Sequence, residues 1–228
     1  LADYNLKDAE LVIRILEKKG IIDLTIQRSL LTGMQLDRVK ASIASLDNLY
    51  IRETLEKGYV CKTSDFKERG DRIKGGYVRD STPGIYDYII VLDFKSLYPS
   101  IIKVRNLSYE TVRCPHQECR KNTIPGTTHW VCTRKNGLTA LLIGSLRDLR
   151  VNYYKSLSKN AALTEDQRQL YTVVSQALKV ILNASYGVMG AEIFPLYCLP
   201  VAEATTAVGR YTILETIEKC KSVGIEVL

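Results

Sequence analysis

Long hydrophobic runs are missing from this sequence. No apolar run reaches the ~18 residues that a membrane-spanning helix needs, and we find neither an internal repeat nor a low-complexity segment. Hydrophobic residues still make up 46% of the 228 residues, which is enough for a buried core. The composition therefore favours one large or two ordinary globular domains, with no membrane as a partner.

Aromatic residues other than tyrosine are also scarce. The chain has 3 Phe and 1 Trp against 14 Tyr.

Its six cysteines do not follow the pattern of a secreted disulfide framework. Positive charge is in excess, with a net charge of +7 and a pI near 9.0. This balance suits a polyanionic partner such as a nucleic acid.

Periodicity and turn signals predict a largely helical chain with short strands. The segment from Thr164 to Gln167 is a capping box, which marks a helix start. Residues 108–140 have the character of an irregular insertion. We expect two or three helices between 20 and 57, further helices at about 5–19, 97–105, 144–159, 164–186 and 201–222, and strands at 88–92 and 225–228.

Asp93 lies between the predicted strand at 88–92 and a predicted helix. Ser96 is placed to cap this helix, and Pro99 falls in its first turn, where proline is tolerated. A carboxylate beside the N–H groups of a helix start is suited to holding a divalent metal ion and a polyphosphate together. The same pattern is also typical of an ordinary turn or capping aspartate.

Lys179, Asn183 and Tyr186 lie at positions i, i+4 and i+7 of the predicted long helix. This spacing places them on one face of the helix. By itself the pattern is typical of a solvated helix face that ends at a C-capping Gly187.

In this order, the two segments resemble the polymerase motifs of the family B DNA polymerases. DFKSLYPSI at 93–101 is similar to the first motif, DxxSLYPSI, and KVILNASYG at 179–187 is similar to the second, KxxxNSxYG. Three shorter segments also resemble family elements: the exonuclease motif YxxxD at 4–8, a glycine–tyrosine element at 75–77, and the first fingers helix at 146–150. The resemblance covers almost the whole chain and is strongest to archaeal members.

The resemblance implies an α+β fold with the right-hand architecture of these polymerases. It would comprise a partial palm sheet, fingers made of a helical hairpin, and a helical remnant of the exonuclease domain. The implied domains are the end of a 3′–5′ exonuclease domain at 1–60, the first part of the palm at 61–140, the fingers at 141–190, and the second part of the palm at 191–228. The last predicted strand would lead into YGDTDS, the third polymerase motif, so we expect a fragment that is inactive alone.

The implied activity is that of a DNA-directed DNA polymerase, which transfers a dNTP onto a primer 3′-hydroxyl with two Mg²⁺ ions. Asp93 would be the catalytic metal ligand, and the backbone carbonyl of Phe94 would also contact a metal ion. The backbone N–H groups of Ser96, Leu97 and Tyr98 would hold the β- and γ-phosphates. By resemblance, the Tyr98 ring would lie beneath the deoxyribose and exclude a 2′-hydroxyl, and Tyr186 would support the nascent base pair.

The predicted fingers would supply positive charge to the triphosphate. Arg150 and Lys179 would neutralise its oxygens, and Asn183 would add a neutral donor. Many relatives carry a lysine four residues after the arginine. This sequence has Tyr154 there and Lys155 one place later, which leaves the role of Lys155 open.

Tyr4 and Asp8 would position a metal ion and the attacking water in the exonuclease site of a full protein. They lie four residues apart at the start of a predicted helix, so both can face one site. The position of Asp8 is equally typical of a carboxylate that stabilises the positive end of a helix dipole.

Cys114, Cys119, His129 and Cys132 form a C-x4-C…H-x2-C pattern, with His116 left over. Three thiolates and an imidazole can hold Zn²⁺ tetrahedrally. Heat-adapted archaeal relatives have a disulfide here, which implies a Cys119–Cys132 disulfide as a rival interpretation. Free thiols are a third. The loose spacing favours a disulfide or free thiols over zinc.

The implied partners are primer–template DNA and dNTPs. A sliding clamp and a second polypeptide that carries the third motif are further candidates, and the implied location is the cytoplasm, at the nucleoid. Two other functions stay open: one subunit of a split polymerase, and a non-catalytic DNA-binding relative. The intact motif residues argue against a relative that has lost catalysis.

Overall fold

The computed structural model describes residues 1–63, 74–80 and 82–228. Residues 64–73 and Ser81, within the predicted first part of the palm, lie outside the described residues. Eight α-helices occur in the described part: α1 (Ala2–Lys18), α2 (Ile21–Thr32), α3 (Ser42–Glu56), α4 (Leu97–Val104), α5 (Leu138–Asp148), α6 (Lys155–Leu157), α7 (Glu165–Met189) and α8 (Leu199–Ser222). A 3₁₀ turn (Gln117–Lys121) lies between α4 and α5, and a π-helical segment (Leu149–Tyr154) joins α5 to α6. None of the described helices is long and apolar enough to cross a membrane.

The first of two compact units comprises residues Leu1–Cys61 and Leu146–Ala184. Helix α2 packs against α1 and α3. Leu46 and Tyr50 of α3 are almost fully buried, together with Val39. No side chain of α1 is buried, and apolar residues such as Val12 and Ile13 are exposed.

A helical hairpin occupies residues 146–184 of the first unit. Its two segments run antiparallel: Arg150 contacts Ser175, whereas Tyr154, further along the first segment, contacts Tyr171, further back along the second. The predicted capping box is confirmed, since the Thr164 N–H donates to the Gln167 side chain (3.1 Å) and the Gln167 N–H donates to Thr164 Oγ1 (3.3 Å).

The second compact unit comprises residues Lys62–Ser145 and Ser185–Leu228. Helix α4 packs against the N-terminal half of α8, where every residue from Val201 to Gly209 except Glu203 is buried. Small side chains on α8, such as Ala202 and Ala204, permit this close approach. Pro200 stands in the first turn of α8, where proline is tolerated.

The predicted palm sheet is not formed by the described residues. Two isolated antiparallel bridges, Val112–Val131 and Thr123–Trp130, are the β pairings present there. The predicted buried strand at 88–92 is exposed, with Ile90 at 81% and Leu92 at 77% of full exposure. Residues 225–228 likewise form no strand. An apolar run becomes a buried strand only when a neighbouring strand accepts its backbone hydrogen bonds, and the described residues supply no such neighbour.

Two helix ends differ from the prediction. Helix α5 begins at Leu138, six residues before the predicted start. Helix α7 runs through Gly187 to Met189, so Gly187 does not end it as a C-cap. The backbone of Gly187 has no positive φ, which is the conformation that a glycine cap requires.

Candidate functional site

Asp93 and Phe94 lie at the end of an extended segment, immediately before α4. Both are exposed, so the Asp93 carboxylate is open to solvent. Ser96 occupies the N-cap position of α4, as predicted, but its side chain makes no capping hydrogen bond. The reason is its left-handed backbone, with φ of 55°, whereas a capping serine normally has an extended one. The Ser96 carbonyl accepts the N–H of Ser100 at 2.9 Å.

Tyr98 on α4 packs against Tyr186 on α7. Their ring centroids are 4.8 Å apart, with the planes tilted by 51°, a separation typical of a favourable aromatic pair. Burial, and secondarily the neighbouring Tyr98, raise the pKa of the Tyr186 hydroxyl, while Arg210 and a hydrogen bond with Thr206 act in the opposite direction. The structure thus brings together these two predicted site residues.

Two glycines leave room for the Tyr98 ring. A Cβ placed on Gly209 of α8 would lie 3.2 Å from Tyr98 Cε1, and one placed on Gly76 would lie 2.9 Å from its hydroxyl oxygen. Arg210 holds the segment that carries Gly76 in place, because its Nη1 donates to the carbonyls of Lys74 (3.0 Å) and Gly75 (2.6 Å). Sequence reasoning missed Gly209 and Arg210. A glycine in a helix interior, where it costs stability, was the available signal.

The hairpin of the first unit carries the other predicted nucleotide ligands. Arg150 is partly buried, and its Nε donates to the Ser175 carbonyl at 3.1 Å. Burial lowers the pKa of this guanidinium. The group nevertheless stays charged at neutral pH, because the ordinary pKa of an arginine side chain is far above neutrality. Lys179, one turn after Ser175, and Asn183, one turn further, are exposed.

The π-helical segment changes the position of Lys155. At its end, the Lys155 N–H donates to the carbonyl of Arg150, five residues earlier. In an α-helix this bond would span four residues. The π-turn therefore accommodates the extra residue that the sequence carries between the arginine and the lysine, and places Lys155 one turn from Arg150. Tyr154 packs against Tyr153 and Tyr171, at 5.1 and 6.0 Å between ring centroids.

Tyr4 and Asp8 both belong to α1 and both are exposed. Four residues apart on one helix, they project from the same face.

Three buried cysteines, Cys114, Cys119 and Cys132, form a cluster with His116. Their four candidate ligand atoms all lie within 4.8 Å of one another. The predicted histidine, His129, is elsewhere. Its Nε2 lies 2.8 Å from a carboxylate oxygen of Glu203, and its Nδ1 accepts the Arg113 Nε–H at 2.9 Å. Sequence spacing favoured His129, but its partner Glu203 is distant in sequence and was not foreseeable.

Of the three interpretations left open by the sequence, the Cys119–Cys132 disulfide is not formed, since all six cysteines are free. Hydrogen bonds from Thr133 lower the pKa of the Cys119 thiol, whereas burial raises the pKa of Cys114.

Known proteins match this chain over nearly its whole length. A sequence model described as DNA polymerase family B matches residues 30–226. The chain is 38% identical to DNA polymerase 1 of Sulfurisphaera ohwakuensis and 40% identical to DNA polymerase 1 of Saccharolobus solfataricus. In both cases the match covers 100% of this chain and 28% of the relative.

A solved structure also matches. The family B DNA polymerase from the hyperthermophilic archaeon Pyrobaculum calidifontis superposes with a TM-score of 0.78 at 29% identity, over 97% of this chain and 29% of that one. The chain therefore spans less than a third of the length of these relatives.

Proposed function

This chain belongs to DNA polymerase family B, and we propose that it carries part of the site at which a DNA polymerase joins a dNTP to a primer 3′-hydroxyl. The observation that supports this most directly is the packing of Tyr98 against Tyr186. Tyr98 lies a few residues after Asp93, whose carboxylate is exposed, and Gly76 and Gly209 leave room for its ring. The substrates would be primer–template DNA and dNTPs. Work on chromosomal DNA would place the polymerase in the cytoplasm, at the nucleoid.

Asp93 and Phe94 would provide oxygen ligands for a divalent metal ion, Mg²⁺ in our proposal. Their chemistry fits, because Mg²⁺ prefers carboxylate and carbonyl oxygens and keeps several of its waters, which an exposed position permits. When bound, such ions activate the attacking hydroxyl and offset charge on the phosphates. Asp93 would fix the ion beside the start of α4, where the Ser96, Leu97 and Tyr98 N–H groups would bind phosphate oxygens.

Arg150, Lys155, Lys179 and Asn183 would bind the triphosphate from the hairpin. Three of these side chains are cationic, and the π-turn sets Lys155 one turn from Arg150. The hydrogen bond to Ser175 fixes the Arg150 guanidinium, so less conformational entropy is lost when it meets a phosphate. We therefore propose Lys155 as a second cation, beside Arg150, on the first segment of the hairpin.

Tyr98 would select deoxyribose. Its ring is held by Tyr186 and approached closely by Gly76 and Gly209, so it cannot easily move aside for a 2′-hydroxyl. Tyr186 would form the support on which the nascent base pair lies.

A chimera tests the proposed catalysis. Residues 1–228 would replace the matching 28% of the Sulfurisphaera ohwakuensis enzyme, with Asp93→Asn as the test and Asp87→Asn as the matched control. We expect Asp93→Asn to lower kcat for nucleotide addition by at least about 100-fold, because a metal ligand contributes several kcal/mol to the transition state. The exposed Asp87 should change activity by no more than about twofold.

Equal activities of the two variants would reject Asp93 as the metal ligand. A parental enzyme that is active and a chimera that folds but adds no nucleotide would favour the non-catalytic DNA-binding relative.

We also propose a contribution of Tyr4 and Asp8 to a 3′–5′ exonuclease site. Their exposure on one face of α1 leaves both free to reach such a site. In the same chimera, Asp8→Ala should abolish primer degradation and leave polymerisation intact. The control is Asp3→Ala, an exposed acid at a different position on the same helix. Loss of primer degradation in both variants would instead indicate that the substitutions destabilise helix α1.

A further inference from the structure

The insertion between α4 and α5 contains a small core of its own. The buried members of this core are Cys114, Cys119 and Cys132, each at most 3% exposed, with Trp130 packed against them. Because cysteine side chains are small, a centre made of three of them buries little apolar area.

The local backbone brings the four side chains of the cluster together. Cys114 follows Arg113, whose φ of 56° turns the chain sharply. His116 directly precedes the 3₁₀ turn that carries Cys119. The Val112–Val131 bridge sets Cys132 beside the segment that carries Cys114. Residues that are up to 18 positions apart in sequence thus converge on one point.

The separations are close to those of a tetrahedral coordination shell. Zinc lies at about 2.3 Å from sulfur and about 2.0–2.1 Å from nitrogen, so neighbouring ligand atoms in a tetrahedron are about 3.5–3.8 Å apart. Cys132 Sγ and His116 Nδ1 are 3.5 Å apart, and no two of the four atoms are separated by more than 4.8 Å. We propose that Cys114, His116, Cys119 and Cys132 bind one structural Zn²⁺ ion.

The surroundings of the cluster support a metal–thiolate site. Cys119 Sγ lies 3.4 Å from both the backbone nitrogen and the hydroxyl of Thr133, and the backbone N–H donates to it. Groups that donate to a ligating sulfur orient it and stabilise its negative charge. Trp130 Nε1 donates to the Cys114 carbonyl at 2.9 Å, which fixes the backbone of another ligand.

Hydrogen bonds from Asn106 connect the proposed zinc site to the end of α4. The side chain of Asn106, just after α4, donates to the carbonyl of Cys132 at 3.2 Å and to that of Lys135 at 2.8 Å. Because α4 carries Tyr98, a rigid insertion would help to hold the proposed nucleotide site. The zinc site itself does not depend on the polymerase proposal.

Apolar packing of three thiols would not by itself explain the position of His116. Buried cysteines act as small hydrophobic residues, whereas an imidazole nitrogen directed at sulfur is a ligand or a hydrogen-bond partner. A disulfide would involve two of the three sulfur atoms and would not explain why the third thiol and the imidazole lie at the same point.

Metal analysis of the purified 228-residue chain tests the proposal. The chain should be produced without a histidine tag and without added metal, and its zinc measured by mass spectrometry. We expect one zinc ion per chain. Cys119→Ser and His116→Ala should each weaken zinc binding at least about 10-fold in competition with a chelating dye. Cys198→Ser and Cys220→Ser, at cysteines outside the cluster, should retain full zinc content.

A second measurement keeps the proposal testable if the ligand variants do not fold. Titration of the unaltered chain with a thiol reagent should release its zinc as three thiols react, and replacement by Co²⁺ should give the visible bands of a tetrahedral thiolate site. Three outcomes would overturn the proposal: a chain without zinc that has a Cys119–Cys132 disulfide, a chain without zinc that has free thiols, or iron together with inorganic sulfide.

Discussion

At the scale of single residues, Tyr98 is closely surrounded by other parts of the chain. Tyr186 packs on its ring, Gly209 lies beneath one edge, and Gly76 leaves space for its hydroxyl. The sequence motif predicted Tyr98 as a site residue, but only the contacts show why its ring would resist displacement.

Removal of the Tyr98 ring should weaken sugar selection. In the chimeric polymerase, Tyr98→Ala should lower the ratio of kcat/KM for dNTP to that for rNTP by at least about tenfold, equivalent to about 1.4 kcal/mol of discrimination. Tyr98→Phe keeps the ring and should keep the ratio. Steady-state incorporation of both nucleotide types measures it, and an unchanged ratio in Tyr98→Ala would exclude a steric role.

A pair of glycine substitutions tests the packing of this ring. Gly187→Ala should raise the free energy of unfolding by about 0.5–1 kcal/mol, because alanine favours a helix and a Cβ there meets nothing within 4 Å. Gly209→Ala should lower it by about 1–2 kcal/mol, since its Cβ presses on a ring that cannot retreat. Urea unfolding followed by the fluorescence of Trp130, the single tryptophan, gives both values. Stabilisation by both substitutions would show that the ring moves freely.

At the scale of secondary-structure elements, the hairpin shows how a local irregularity can preserve the spacing of two side chains along a helix. One extra residue in an α-helix would turn the following side chains by about 100°. The π-helical segment absorbs this residue, so Lys155 stays one turn from Arg150. Such π-turns are frequent at functional sites.

The proposed role of Lys155 can be separated from general charge effects. Lys155→Ala in the chimera should lower kcat/KM for dNTP by about tenfold or more, since one charge-assisted contact to the triphosphate is lost. The control is Lys159→Ala, an exposed lysine beyond α6. Equal losses in the two variants, or a fall in primer–template affinity with unchanged use of dNTP, would assign the hairpin to DNA binding.

The capping box should contribute measurably to the stability of the hairpin. Thr164→Ala removes the side-chain oxygen that accepts the Gln167 N–H and should destabilise the chain by about 0.5–2 kcal/mol. Thr172→Ala, on an exposed interior turn of α7, should be neutral or slightly stabilising, because alanine has the higher helix propensity. Urea unfolding monitored by far-UV circular dichroism distinguishes the two. A neutral Thr164→Ala would mean that the helix start is held by other contacts.

At the scale of the whole molecule, the net charge of +7 favours association with a polyanion. The affinity of the chain for duplex DNA should fall as the salt concentration rises. A plot of the logarithm of the association constant against the logarithm of the salt concentration should have a slope of about −0.9 for each phosphate that the chain neutralises. Fluorescence anisotropy with labelled primer–template measures this slope. Heparin should displace the DNA and neutral dextran should not. Binding that is insensitive to salt would contradict an electrostatic interface.

The sequence by itself determined the features that depend on neighbours along the chain. The capping box at Thr164, proline at the start of α8 and the hydrophobic spacing within the helices act over a few residues, so helices were predicted near their observed positions. The two polymerase motifs, which are contiguous strings, were also readable and led to the family.

Only the tertiary structure decided features that depend on distant partners. The run at 88–92 has the composition of a strand, yet it is exposed because the described residues supply no adjacent strand. His116 rather than His129 joins the three cysteines, because Glu203, more than 70 residues away, engages His129. Gly209 is needed only because a ring from another helix lies against it. Pairing, ligand choice and close packing are set by which segments meet in space, and spacing along one chain does not contain that information.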